Sequence, residues 1–109
     1  MVEHYALDTI FKSLADPTRR DILSRVNEQQ QSITELAARY KMSFAAIAKH
    51  IIILENAKLI QKNKRGKEKI ITINKTGFMS AEHYLQDYAV LWNESLHTLD
   101  NVLTKENQQ

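Results

Sequence analysis

Hydrophobic residues recur along this chain at helical spacing, break off at short polar stretches, and switch to strand-like alternation in one place. Leu7, Ile10, Phe11 and Leu14 fall on one stripe and predict a helix from Tyr5 to Ala15. Asp16-Pro17 ends it and starts the next, with Asp16 as N-cap and Pro17 at the first helical position, where a missing amide is harmless. That second helix runs to about Val26 with Ile22, Leu23 and Val26 inward, and Asn27 to Gln31 reads as a polar turn. A short helix follows from Thr34 to Tyr40, then a break at Lys41-Met42-Ser43, then a helix from Phe44 to Ala57. Ser43 suits its N-cap, and Ile47, Ile51, Leu54 and Leu59 recur at steps that turn one face inward. Ile51, Ile52 and Ile53 are consecutive, so one helix face cannot bury all three, and Ile52 is expected at the surface or against a partner. Strands are predicted over Ile60–Lys64 and Lys69–Ile73, the second clearly alternating, with Gly66 supplying the positive φ of a tight hairpin. After a polar link from Asn74 to Gly77, one long helix spans Phe78 to Leu103. Its Leu85, Tyr88, Trp92, Leu96, Leu99 and Leu103 form a near-heptad seam.

This order implies a mostly α domain with a small β-hairpin. Residues 33–60 read as a helix-turn-helix, 60–73 as a wing and 78–103 as a dimerisation helix, all within one domain of residues 1–109. Opposite the buried stripe of its second helix lie Ser43, Ala45, Ala46, Ala48 and Lys49, a face that is small, partly polar and basic at its far end. Such a face fits a DNA major groove, whose width just admits a helix. A basic hairpin directly after it is the layout of a winged helix, with Lys64, Arg65 and Lys67 at the tip, within reach of phosphates or the minor groove. The terminal helix is long enough to cover more than its own subunit. A dimer is therefore expected through Leu85, Tyr88, Trp92, Leu96, Leu99 and Leu103, joined by Leu7, Ile10 and Leu14 of the first helix. Two other readings stay open. One is a metal- or small-ligand-responsive sensor of the same shape; the other is a protein or RNA interaction module, since fold does not fix function.

Charge sharpens the picture more than composition does. Net charge is only +2, yet Lys58 to Lys69 holds six bases against one acid, while Thr76 to Gln109 holds five acids against one base. A locally basic segment in a nearly neutral chain is the footprint of a polyanion partner. Arg19 and Arg20 stand in the first turn of their helix, where cations oppose the dipole, so a phosphate or pairing with Asp16 or Asp21 is expected to hold them. The absence of cysteine removes disulfides, thiolate metal sites and cysteine nucleophiles, and fits a reducing cytoplasm. No stretch has the apolar length of a membrane span, and MVEHYALD lacks the features of a secretion signal. With two glycines, no phosphate-cradling loop and scattered His4, His50, His83 and His97, no catalytic constellation is present and no cofactor is expected.

From about Leu7 to Leu103 the chain resembles the ArsR family of winged helix-turn-helix transcriptional repressors. The likeness rests on Leu14-Ala15-Asp16-Pro17-Thr18-Arg19-Arg20 with Ile22-Leu23, on Thr34-Glu35-Leu36-Ala37, on Ser43 through Lys49-His50-Ile51, on Leu54-Glu55-Asn56-Ala57-Lys58-Leu59-Ile60, and on the Arg65-Gly66-Lys67 wing. Its ending, Trp92-Asn93-Glu94-Ser95-Leu96 to Leu103, is similar to the subgroup without metal-sensing cysteines. The resemblance implies a cytoplasmic homodimer that binds double-stranded DNA at an inverted repeat, one reading helix per half-site. It implies base or phosphate contacts from Ser43, Ala45, Ala46, Ala48 and Lys49 and wing contacts from Lys64, Arg65 and Lys67. Ala48 stands where many members carry serine and Ile52 where a basic or polar residue is usual, so readout would lean on Ser43, Lys49 and contact of alanines with thymine methyls. His50 matches the family and is either a DNA contact or a packed residue. For the zinc site some members build on the last helix, only His97 and Asp100 fit, which leaves two ligands per subunit where zinc wants about four, so no metal is expected. The effector, if any, is not specified.

Overall fold

The structure, a computed structural model, describes the backbone of residues 2–107 and the side chains of 6–89, 93, 94 and 101–103. Five helices and a small sheet follow the expected order, with one added strand. Helix α1 (Val2–Leu14) and helix α2 (Pro17–Glu28) meet at Asp16, whose carboxylate accepts the Arg19 amide at 3.0 Å as the N-cap requires. That bond holds the Asp16 carboxyl below the usual carboxylate range. A two-residue strand β1 (Gln31–Ser32) lies where a polar turn was expected, and pairs with Ile71 and Ile70. Ser32 then starts helix α3 (Ile33–Ala37) through a capping box: its hydroxyl accepts from the Glu35 amide at 3.1 Å, and Glu35 accepts from the Ser32 amide at 3.3 Å.

Helix α4 (Phe44–Asn56) begins as expected at Ser43, whose hydroxyl oxygen accepts the Ala46 amide at 3.1 Å. It stops at Lys58, which adopts a left-handed φ of 58°. The Leu59 amide there bonds the Leu54 carbonyl at 3.1 Å and the Lys58 amide bonds the Glu55 carbonyl at 2.9 Å, the pairing of a Schellman end. Strands β2 (Ile60–Arg65) and β3 (Glu68–Ile73) form the hairpin, in register from Ile60 opposite Ile73 to Arg65 opposite Glu68. Gly66 opens its two-residue turn with φ 64°. The antiparallel sheet order is β1-β3-β2.

Helix α5 (Lys75–Asn107) starts three residues before the expected Phe78, so Gly77 belongs to its first turn and not to a link. The Gly77 amide, free of an intrahelical partner at that position, donates to the Lys58 carbonyl at 2.8 Å. The core is one cluster in which Ile10, Ile22, Leu36, Ile47, Ile51, Leu54, Leu59 and Ile71 are all essentially removed from solvent. The α5 helix reaches well beyond it. The Cα radius of gyration is 18.9 Å, against about 13 Å for a compact chain of this length.

Among the described residues the Arg19 and Arg20 guanidinium groups form no ion pair with Asp16 or Asp21. The Arg19 guanidinium donates from Nε to the Ser13 carbonyl at 2.7 Å and from Nη2 to the Lys12 carbonyl at 3.1 Å, while Arg20 Nη1 donates to the Leu14 carbonyl at 2.8 Å. Both reach back across the Asp16-Pro17 corner and cap the bare C-terminal end of α1, whose dipole they complement. Asp21 is engaged instead by Arg25 at 2.9 Å and by the Tyr40 hydroxyl at 2.5 Å.

Candidate nucleic-acid interface

Helix α4 has one buried and one solvent-facing side. Ile47, Ile51 and Leu54 enter the core, whereas Ser43, Ala45 and Lys49 are exposed, with Ala46 and Ala48 half-buried beside them. Because Ser43 accepts the Ala46 amide, its O–H proton remains free to donate outward. Ile52 is exposed as expected, and so is Ile53. The hairpin stands alongside, and Lys62 of β2 pairs with Glu55 of α4 at 3.3 Å, a strut between strand and helix. At the hairpin tip Lys64, Arg65 and Lys67 are exposed, and among the described residues neither these three nor Lys49 forms an ion pair. Between helix and hairpin runs a cleft of about 410 Å³, lined by Thr34, Phe44, Ala48 and Ile52 on the helical side and by Lys62 and Lys67 on the other.

His50 does not belong to this surface. It is half-buried, with Nδ1 at 3.3 Å from Arg19 Nη1 and 3.9 Å from the Asp16 carboxylate, so it packs α4 against the corner of α1 and α2. Phe44, which is not among the residues expected to touch DNA, is 56% exposed at the first position of α4. Spacing alone gives no sign of this: three residues before Ile47 and seven before Ile51, Phe44 continues the inward stripe, and it stays exposed because it begins the helix beyond the core cluster.

The expected dimer seam divides. Leu7 and Ile10 are buried in their own subunit and therefore cannot be a free face, while Leu14 is half-buried against the same core. Leu85 and Tyr88 are 54% and 52% exposed, and Leu103 is exposed near the end of α5. Phe11 of α1, also exposed, meets Tyr84 edge-on at 5.8 Å between ring centroids, and Tyr84 meets Tyr88 at 5.4 Å. Phe11 and Leu85, with Leu14, Phe78, Ala81 and Ala89, line a largely apolar groove between α1 and α5 that Glu82 and Gln86 also border. The side chains of Trp92, Leu96 and Leu99, and those of the weak metal candidates His97 and Asp100, lie outside the described residues. Among the described residues no three His, Asp or Glu side chains converge as a metal site would need, and no helix is long and apolar enough to cross a membrane.

A small-faced helix preceded by a short capped helix and flanked by a basic hairpin with an exposed cationic tip defines a winged helix-turn-helix DNA-binding protein. The comparisons with known proteins agree. Residues 16–62 match the model of the bacterial regulatory protein, arsR family. An uncharacterized HTH-type transcriptional regulator of Bacillus subtilis, YuzN, is 39% identical over 74 residues, which are 62% of this chain and 80% of the relative. The transcriptional repressor SdpR of the same organism is 24% identical over 82 residues, covering 75% of this chain and 91% of SdpR. A crystal structure of an ArsR family transcriptional regulator superposes with a TM-score of 0.74 at 35% identity, over 82% of this chain and 92% of the other. The chain belongs to the ArsR family and is a DNA-binding transcriptional regulator.

Proposed function

We propose that the chain acts as a homodimeric repressor, without catalysis, by occupying an inverted-repeat operator in the cytoplasm and blocking polymerase there. Residues 1–109 work as one unit, with residues 33–60 reading DNA, 60–73 forming the wing and 78–103 pairing two copies. Each subunit places the N-terminal half of α4 in a major groove, with Ser43, Ala45, Ala46, Ala48 and Lys49 at base edges and phosphates. Lys64, Arg65 and Lys67 hold the backbone beside it. Such phosphate contacts orient the protein and make binding salt-dependent, while the helix carries the sequence preference.

The observation that carries this reading is the exposed, small-residue end of α4 set beside a wing tip whose cations are unpaired among the described residues. Pairing of two copies is supported by the apolar groove between α1 and α5 and by the reach of α5 past the core. Water-facing Phe11, Leu85 and Tyr88 gain by being covered, and a domain this small buries limited area alone. Repression is supported by the likeness to SdpR. Selection of bound sequences from random duplexes tests the whole reading. It is expected to return a palindrome with half-sites centred about 10 base pairs apart, or a multiple of that. Sedimentation of the free protein as a dimer is expected alongside. A monomer that enriches no sequence refutes it.

A further inference from the structure

Phe44, Ala48 and Ile52 stand four residues apart, so they form a single stripe along α4, and all three line the cleft facing the wing. Phe44 is 56% exposed and Ile52 46%. Folding does not account for Phe44. It caps nothing, since Ser43 holds that role, and it lies outside the core cluster. The opposite wall of the cleft is formed by Lys62, Lys67, Glu68 and Lys69, cationic on balance, so a strand of DNA lying in the cleft has its phosphates toward the wing and its bases toward the stripe. The stripe itself has no donor and no acceptor. On a base-pair edge in the major groove, the one feature that an apolar surface recognises is the thymine C5-methyl group.

Resting on the DNA-reading role proposed above, we propose that Phe44 is a specificity-determining residue that selects thymine by packing its ring on the C5-methyl, with Ala48 completing the contact. Phe44, and not the alanines alone, thus supplies the apolar part of the readout. The preference is for thymine at one defined position in each half-site, and it disappears when the methyl is removed.

The test uses the full chain and the duplex recovered by selection, with each thymine of a half-site replaced in turn by deoxyuridine, which pairs identically and lacks only the methyl. Wild type is expected to lose about fourfold in affinity per half-site at one position, the fold-change that burial of one methylene-sized group corresponds to. Phe44→Ala is expected to bind the thymine duplex more weakly and to make no distinction between thymine and deoxyuridine there. Phe44→Leu is expected to restore part of the discrimination. Because the ring is mostly exposed, both variants are expected to keep the wild-type melting temperature. If wild type discriminates nowhere, or if Phe44→Ala discriminates as wild type does, the assignment of Phe44 is overturned while sequence-specific binding stands. If wild type enriches no sequence at all, the DNA-reading role fails first, and this assignment with it.

Discussion

Replacing Gly77 by alanine sets two effects of opposite sign against each other, and the structure decides between them. Gly77 lies in the first turn of α5, and by helix propensity alone alanine stabilises by about 1 kcal/mol. A Cβ built at Gly77, however, stands 2.5 Å from the Ala57 carbonyl oxygen, 2.6 Å from that of Lys58 and 2.9 Å from a Leu59 methyl. The leucine can turn away, but the two carbonyls are backbone within the Schellman end of α4 and are held there by their neighbours' hydrogen bonds. Overpacking of this kind costs about 1–3 kcal/mol. Lengthening the 2.8 Å bond from the Gly77 amide to Lys58 removes about 1 kcal/mol more. The unfavourable effects therefore win by about 1–3 kcal/mol, which for a domain of this size lowers the melting temperature by about 5–15 °C. Calorimetry at matched protein concentration measures this, matching being needed because association stabilises the folded chain by mass action. Gly66→Ala is the control: its φ is 64°, but nothing lies within 4 Å of the added Cβ, so only the conformational strain of about 1 kcal/mol is expected. A Gly77→Ala protein that melts at or above the wild-type temperature refutes the reasoning.

Among the remaining predictions, Lys64→Ala, Arg65→Ala and Lys67→Ala are each expected to weaken DNA binding evenly across sequences and to flatten the plot of log K against log salt by about 0.9. Lys62→Ala should move that slope less, because Glu55 already holds its ammonium; equal slopes for all four would refute the distinction. Arg19→Ala strips two carbonyl caps from α1 and is expected to cost about 2–3 kcal/mol in urea unfolding at unchanged m-value. Lysine at that position should recover only part, having no fork to span both carbonyls. Burial, and next the Asp21 carboxylate, push the Tyr40 phenol up to about 12. A folded pKa above the unfolded value of about 10 means that the stabilisation from Tyr40 is complete below pH 10 and is lost as pH rises from 10 to 12. Ultraviolet titration is expected to show one phenol ionising near pH 12, and Tyr40→Phe to abolish that phase; an unchanged titration would remove Tyr40 from this role.

How legible each feature was depends on how local its cause is. Caps are local, and Asp16, Pro17 and Ser43 began their helices where the residue types required. The inward stripe of α4 is a matter of period, and Ile47, Ile51 and Leu54 are buried as it demands. Strand β1 has no such signature: two residues cannot alternate, and their partners Ile70 and Ile71 come some forty positions later. Gly77 misled for the same reason, since a glycine in a polar run reads as a link unless one knows that the end of α4 crowds against it. The destination of Arg19 and Arg20 is likewise tertiary. Their place in a first turn flagged something unusual, but the carbonyls that they cap belong to the preceding helix. On α4, the exposure of Ser43, Ala45 and Lys49 follows from helical geometry, whereas Phe44, in phase with Ile47 and Ile51, reads as inward and is exposed.

These tertiary contacts share a consequence for the proposed dimer. Besides its strut to the hairpin, α4 is tied by polar contacts at two places to the helices that border the apolar groove, through Arg19 of α2 in one case and directly in the other. In its middle, His50 meets Arg19, whose guanidinium is fastened to the last carbonyls of α1. At its C-terminal end, the Lys58 carbonyl accepts the Gly77 amide of α5, and the neighbouring Leu59 carbonyl accepts the Asn74 amide at 3.0 Å. Two backbone hydrogen bonds and one guanidinium thus fix the angle between the reading helix and the helices that would join two subunits. Operator spacing is set by that angle and not by the reading residues, because the distance between half-sites follows from how the dimer holds its two helices. Substitutions at Gly77 or Arg19 should therefore weaken binding to the selected palindrome more than to an isolated half-site, while substitutions at Phe44 or Lys49 should weaken both alike.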